Sequence, residues 1–263
     1  MAKTQRQESP HQSATMVLEG GDIFFAYRPK LDKQVAKSID DVQRLYMILH
    51  PRGKQSYRLR ILGEKRLPSV DDGGDRKTWG FVAKVAARAE DVEDELDPER
   101  YETKTRGVRQ VPAARPAGEG IYAIASHERH THLTYVLELP PQPGEVQRAL
   151  NIVQEGSYVI AVKNPEAPSA PGTGLDETRR AAFPKKLRER FAGRRFTPAE
   201  PPDFLDYEWA EIILVGARKD ISAELGIELV PERETEATAE IFNDLKIERS
   251  LHPLTPLFEG KWE

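Results

Sequence analysis

The sequence predicts an α+β protein built mostly from antiparallel β-sheet. Runs in which apolar and polar residues alternate, the pattern of a strand with one buried face, recur along most of the chain. Turn-forming segments such as 51–54 separate consecutive runs. Helical patterns are fewer, and the clearest are two strongly charged stretches at 90–102 and 184–193.

The first half of the chain carries four predicted strands, at 22–28, 42–50, 56–62 and 78–85. Pro29 ends the first and Pro51 the second, because proline has no amide hydrogen to give to a strand ladder. Residues 90–102 contain eight acidic residues in thirteen and predict a solvated helix that Pro98 interrupts.

The second half carries predicted strands at 120–125, 131–139, 158–162 and 211–216. The run at 158–162 is wholly apolar and is therefore expected at the centre of a sheet. A cationic helix is predicted to begin near Pro184 and to end at Gly193, with Phe183, Leu187 and Phe191 on its buried face.

Changes in composition divide the chain into five parts. They are a disordered tail (1–18), a first α+β half (19–105), a linker (106–119), a second α+β half (120–230) and a C-terminal extension (231–263) whose last aromatic residues are expected to dock on the body of the protein. The segments 81–96 and 212–225 both read as a strand, an Ala-Arg pair, an acidic residue and a helix. Either the protein consists of two similar halves, or this is the common pattern of strand-to-helix junctions in one closely packed unit.

The amino-acid composition argues against several classes of protein and of functional site. The net charge is −4 and 31% of residues are charged, without the basic excess of a dedicated nucleic-acid binder. The absence of cysteine excludes disulfides, zinc–thiolate sites and thiol nucleophiles. No apolar run approaches the roughly 20 residues that span a bilayer, and the N-terminus lacks the apolar core of a signal peptide. We therefore expect a cytoplasmic protein with no membrane partner.

Three of the six histidines, His127, His130 and His132, lie within six residues at the start of the predicted strand 131–139. Alternation predicts that Leu133, Tyr135 and Leu137 are buried, and that His130, His132 and Thr134 share the other face. Two imidazoles so placed can hold a metal ion or act on a phosphate as acid and base. The alternative is the solvated polar face of a half-buried strand.

Residues 118–165 resemble the phosphoesterase module of bacterial end-joining DNA ligases. In this resemblance His127 corresponds to the first family histidine, His132 to the second and Glu138 to the strand glutamate. The later stretch, containing Ser157 and Lys163, corresponds to a second family motif. Thr134 stands where the family has a metal-binding aspartate, and Val136 stands where it has an arginine.

This resemblance implies a phosphoesterase that acts on a phosphorylated ligand such as a nucleic-acid end. It implies catalytic roles for His127 and His132 and phosphate binding by Lys163. The shared strand face of His130 and His132, rather than the resemblance, makes these two residues the expected ligands of a divalent ion, Mn²⁺ or Zn²⁺. The stretch His132-Leu-Thr134 is also similar to one His-x-Thr motif of two-histidine cyclic phosphodiesterases, which implies a catalytic role for Thr134.

A cationic stretch gives independent support for a phosphate-bearing partner. Residues 185–195 contain six lysines and arginines, among them Lys186, Arg188 and Arg190. Such a stretch can neutralise several phosphates in a salt-dependent manner, or it can be the charged solvent face of a helix. The sequence thus supports two hypotheses: a phosphoesterase-like protein, or a non-catalytic interaction or structural protein in which the histidines are incidental.

Overall fold

A computed structural model of the chain describes residues 15–70, 77–105, 107–169, 174–176, 178–232 and 234–263. Its strands are β1 (Met16–Pro29), β2 (Val42–Pro51), β3 (Tyr57–Leu62), β4 (Lys77–Ala86), β5 (Glu99–Thr103), β6 (Gly107–Val111), β7 (Arg115–His127), β8 (His130–Leu139), β9 (Glu155–Lys163), β10 (Phe196–Pro198) and β11 (Glu211–Gly216). The prediction of a mostly antiparallel sheet is confirmed, and the sheet closes on itself as a barrel.

Eight strands form the barrel, in the order β1-β2-β3-β4-β11-β9-β8-β7 and back to β1. Every neighbouring pair is antiparallel. The short strand β10 pairs with the end of β9, and β5 pairs with β6 in a separate hairpin. β1, β3, β8 and β11 therefore begin at one end of the barrel, where β2, β4, β7 and β9 end. We call this the histidine end, because β7 ends there at His127 and β8 begins there at His130.

The predicted halves contribute four barrel strands each, and the two sets meet at the β1–β7 and β4–β11 pairs. Rather than an irregular linker, the described residues of 106–119 include β6 and the first part of β7. The predicted tail needs a similar correction, because β1 already begins at Met16. The remainder of that tail, residues 1–14, lies outside the described residues.

The helices are short. They are α1 (Glu90–Leu96), α2 (Glu145–Leu150), α3 (Lys185–Arg190), α4 (Ile221–Leu225), α5 (Ile241–Asp244) and α6 (Thr255–Phe258), with 3-10 helices at Ile39–Asp41 and Pro202–Asp206. The predicted cationic helix is confirmed as α3. The predicted acidic helix stops at Leu96, before Pro98, and residues 99–103 continue as β5. No helix among the residues described is long and apolar enough to cross a membrane.

Side chains that point into the barrel form most of its main apolar core. Phe25, Met47, Tyr135 and Ile160 are all fully buried there. The aromatic rings stack across strands: Tyr135 lies 5.1 Å from Phe25 and 6.0 Å from Tyr158, measured between ring centroids. Burial of side chains of this size supplies the main stabilisation of such a fold.

Two arginines of β3 also point into the barrel. Arg58 donates to both carboxylate oxygens of Glu19 and to Asp206, so its charge is paired. Arg60 is completely buried, and its Nε and Nη2 have no hydrogen-bond partner among the described residues. Burial and the neighbouring Arg58 lower the pKa of Arg60 to about 10.

The C-terminal extension packs on the outside of the barrel. Ile241 and Leu257 belong to a second apolar cluster together with Phe24 and Ile48, which face outward from β1 and β2. The ring of Trp262 lies 5.4 Å from that of Tyr27. The expected docking of the terminal aromatic residue on the body of the protein is therefore confirmed.

Candidate functional site

A tight hairpin at the histidine end carries His127, His130 and His132, which we call the histidine cluster. His127 is the last residue of β7 and His130 the first of β8, and the two are opposite each other in the strand register. The turn between them holds Glu128 in the left-handed region, at a φ of 54°. The predicted strand 131–139 is confirmed by β8, with Leu133, Tyr135 and Leu137 buried inside the barrel.

His132 is the most deeply buried of the three histidines. Its side chain points outward from the barrel wall, yet the residue is only 5% exposed. Its Nδ1 lies 3.1 Å from the hydroxyl oxygen of Ser157 on β9, and its ring centroid lies 6.1 Å from that of His127. The Nδ1 of His127 in turn lies 2.9 Å from the hydroxyl oxygen of Thr15.

Burial lowers the pKa of His132 to about 4, and the neighbouring His127 and His130 add to this effect. The imidazole is therefore neutral near pH 7, the state in which it can accept a proton or bind a metal ion. Ser157 and the two other histidines surround it with exchangeable protons and lone pairs. The cluster thus has the residue types needed for proton transfer to or from a bound phosphate.

The predicted common polar face needs correction. His130 is exposed, but Thr134 is completely buried and its hydroxyl donates to the backbone carbonyl of Ala123 at 3.3 Å. His132 and Thr134 are covered although they point outward, so this face of β8 is not a solvated surface. The hydroxyl of Thr134 is engaged with the backbone rather than directed to the surface.

Lys163, the last residue of β9, also lies at the histidine end. It is buried, and its ammonium group donates to Glu211 and, at 2.6 Å, to Ser169. Glu211 also accepts a hydrogen bond from the indole of Trp79 at 2.9 Å. Lys163 is four residues beyond Val159, the partner of His132 in the register, which corresponds to about 13 Å along the strand. The predicted phosphate ligand is therefore paired internally and lies apart from the histidines.

The predicted cations Lys186, Arg188 and Arg190 are exposed on α3, whose Leu187 is buried. Arg188 lies 3.9 Å from Glu166, a long and exposed ion pair. The chain runs from α3 into β10, which pairs with residues 161–163 of β9, so α3 lies near the histidine end as well. The structure thus gathers the predicted residues at one end of the barrel, with direct contacts among His127, His132 and Ser157.

A separate group of metal-ligand residues was not predicted. Ligand atoms of Asp22, His50 and Asp244 all lie within 4.8 Å of one another, so these residues form a possible metal-binding triad. The three positions are far apart in the sequence, and no motif spacing connects them. Within the described residues, His127, His130 and His132 are not part of a group of three convergent metal ligands.

Comparison with known proteins finds no matching family model, no similar curated protein and no similar solved structure.

Proposed function

We propose that this chain is a phosphoesterase-like protein that binds, or acts on, a phosphorylated ligand at the histidine end of its barrel. The main support for this proposal is the side chain of His132. Its imidazole is neutral near pH 7 and largely buried, it contacts Ser157, and it lies beside His127. A neutral imidazole held in a fixed orientation is suited to acid–base work at a phosphate.

The cluster provides distinct roles. In hydrolysis, His132 would accept a proton from the attacking water molecule as that water bonds to phosphorus and the P–O bond to the leaving group breaks. His127, less enclosed and near the hairpin turn, would face the ligand and donate a proton to the leaving oxygen. The cations of α3 would attract the phosphate and the rest of a polyanionic ligand such as a nucleic-acid end. Lys163 would hold phosphate only if its contact with Glu211 opened, so we assign the first encounter to Lys186, Arg188 and Arg190.

A metal ion at this cluster, Mn²⁺ or Zn²⁺, would have His130 and His132 as its protein ligands. Two imidazoles are fewer than the three protein ligands usual at a catalytic zinc site. The ligand's own phosphate oxygens would then complete the coordination. A mechanism in which the histidines act without a metal requires no further protein ligand.

The test uses the full chain with DNA and RNA oligonucleotides that end in a 3′- or 5′-phosphate, and with bis(p-nitrophenyl) phosphate as a general diester. We expect release of phosphate or p-nitrophenol, or saturable oligonucleotide binding. The product release should fall by about 100-fold or more in His132→Ala, since general acid–base groups contribute roughly 10²–10⁴-fold. Lys261→Ala, an exposed cation remote from the histidine end, is the control.

If the wild type neither hydrolyses these substrates nor binds the oligonucleotides at low salt, the phosphoesterase proposal fails. The non-catalytic alternative, an interaction or structural protein, would then be favoured.

A further inference from the structure

The triad of Asp22, His50 and Asp244 lies well away from the histidine cluster. Asp22 is opposite Ile121 in the β1–β7 register, and His127 is six residues further along β7, about 20 Å at the rise of a strand. The triad is on the outer wall of the barrel, beneath the C-terminal extension. A site here is independent of the function proposed above.

We propose that Asp22, His50 and Asp244 bind one divalent transition-metal ion, with Zn²⁺ the best match to their geometry. The Nδ1 atom of His50 is 3.3 Å from an oxygen of Asp244 and 3.7 Å from an oxygen of Asp22. Around a tetrahedral zinc with bonds of about 2.0–2.1 Å, neighbouring ligand atoms are roughly 3.3–3.4 Å apart. Both distances from His50 are therefore close to those that such an ion requires, and all three ligand atoms lie within 4.8 Å of one another.

The ligands are held by separate parts of the fold. Asp22 and His50 are opposite each other in the β1–β2 register, so the barrel wall sets their spacing. The ring of His50 stacks on Tyr57, with centroids 4.3 Å apart and planes inclined by 16°. These contacts orient the imidazole, and its Nδ1 points toward both carboxylates.

Asp244 is brought to the pair by α5, of which it is the last residue. The buried carboxylate of Glu119 accepts hydrogen bonds from the amides of Glu240 and Ile241, both at 3.1 Å, and so ties the start of α5 to β7. Ile241 is buried against the barrel. The third ligand is therefore positioned by the packing of the C-terminal extension, not by a loose surface loop.

The charge and accessibility of the triad also suit a cation. Two carboxylates converge on one imidazole, which favours a cation. The positive charge of Arg52 opposes one, but this side chain is three-quarters exposed and contacts the other oxygen of Asp22, at 3.3 Å, so solvent and salt screen its effect. The side chains of the triad are 14–30% exposed, so an ion can enter from solvent and keep a water molecule as a fourth ligand. The mixture of one nitrogen and two oxygen donors favours a transition-metal ion over Mg²⁺ or Ca²⁺, which prefer oxygen ligands alone.

The test is calorimetric titration of the chelator-treated full chain with Zn²⁺ and Mn²⁺, together with metal analysis of the dialysed protein. We expect one Zn²⁺ per chain in the wild type. Asp22→Asn and Asp244→Asn keep the side-chain shape, and each should weaken Zn²⁺ binding by about tenfold or more. Glu259→Gln, which changes an exposed acid elsewhere, should leave it unchanged. Zn²⁺ should also raise the melting temperature of the wild type but not of Asp244→Asn.

The His132→Ala variant separates this site from a metal at the histidine cluster. Retention of Zn²⁺ binding in His132→Ala, with loss in Asp22→Asn and Asp244→Asn, supports the triad whether or not the protein hydrolyses phosphate esters. The proposal is overturned if the wild type takes up no ion, if the two aspartate variants bind as tightly as the wild type, or if only His132→Ala loses binding. The contacts of His50 with the two carboxylates would then have a structural role only.

Discussion

The most informative single residue is His132, because its environment opposes the charge that a histidine normally acquires in mild acid. Among the residues that the structure describes, no carboxylate contacts its ring; its neighbours are Ser157 and two further histidines. Protonation would place a positive charge in a covered position next to groups that can also become positive. The burial of this one side chain therefore makes the stability of the fold depend on pH.

The sign of this dependence follows from the two pKa values. In the unfolded chain His132 binds a proton near pH 6.5, whereas in the folded protein its pKa is about 4. Its neutral form thus contributes stability that is complete above pH 6.5 and is lost as the pH falls toward 4, by no more than about 3 kcal/mol. We expect His132→Gln to lose less stability than the wild type across this range in urea unfolding followed by circular dichroism.

The comparison with His132→Gln is needed because other groups act in the opposite direction. Burial raises the pKa values of Glu119 and Glu138 to about 7, so these carboxyls favour the folded state more as the pH falls below 7. Subtracting the variant's profile from that of the wild type removes their contribution. If the difference is flat between pH 4 and 6.5, His132 is not buried in the folded protein.

Residue-level prediction from the sequence succeeded where local alternation was sufficient. The burial of Leu133, Tyr135 and Leu137 follows from a period of two, which the backbone geometry of a strand imposes. The same alternation gives no information on what covers the other face. That is why the burial of His132 and Thr134 was not predicted.

At the scale of elements, the clearest prediction concerns the exposed cations of α3. Its buried residue, Leu187, anchors one face, while Lys186 and Arg190 are exposed. Reversing both charges should leave the fold intact, because neither side chain is part of the core. It should weaken oligonucleotide binding, and it should reduce the slope of log K against log salt by about 0.7–0.9 for each phosphate that the variant no longer neutralises.

The measurement is fluorescence anisotropy with a labelled oligonucleotide over a range of salt concentrations, using Lys186→Glu/Arg190→Glu. Lys30→Glu/Lys37→Glu makes the same change in net charge at exposed positions beyond the other end of β1, and is the matched control. Equal weakening by both double variants would mean that only net charge matters. The cations of α3 would then have no specific part in binding.

Most elements could be predicted from the sequence because their signals are local. The eight barrel strands all contain a predicted run, and proline residues mark several of their ends. The β5–β6 hairpin was missed, since its exposed strands lack an apolar face that alternates with a polar one. Such strands are specified by pairing with each other rather than by burial.

At the scale of the whole molecule, the closure of the barrel is the feature that the sequence did not reveal. Closure depends on the β1–β7, β4–β11 and β8–β9 pairs. Two of these pairs join residues about a hundred or more positions apart, and no periodicity within a strand identifies its distant neighbour. The Asp22, His50 and Asp244 triad depends on the same long-range packing, which explains why it was also missed.

The pairing of β4 with β11, which we call the β4–β11 seam, allows a direct test of barrel closure by disulfide cross-linking. The chain contains no cysteine that would interfere. Lys77 and Val215 are opposite each other in this antiparallel pair, and neither is buried. Opposed Cα atoms in such a pair are about 4.5–5.5 Å apart, within the range of a disulfide.

The double variant Lys77→Cys/Val215→Cys should form an intramolecular disulfide under mild oxidation and stabilise the protein by about 2–4 kcal/mol, because the bond closes a long loop in the unfolded chain. Thiol titration and urea unfolding, with and without reductant, measure both effects. Lys77→Cys/Ile213→Cys places the thiols on a diagonal, since Ile213 is opposite Trp79, and it should cross-link much less. Equal cross-linking of both pairs, or of neither, would show that the two sets of strands do not meet in this register, and the barrel would then be open at this seam.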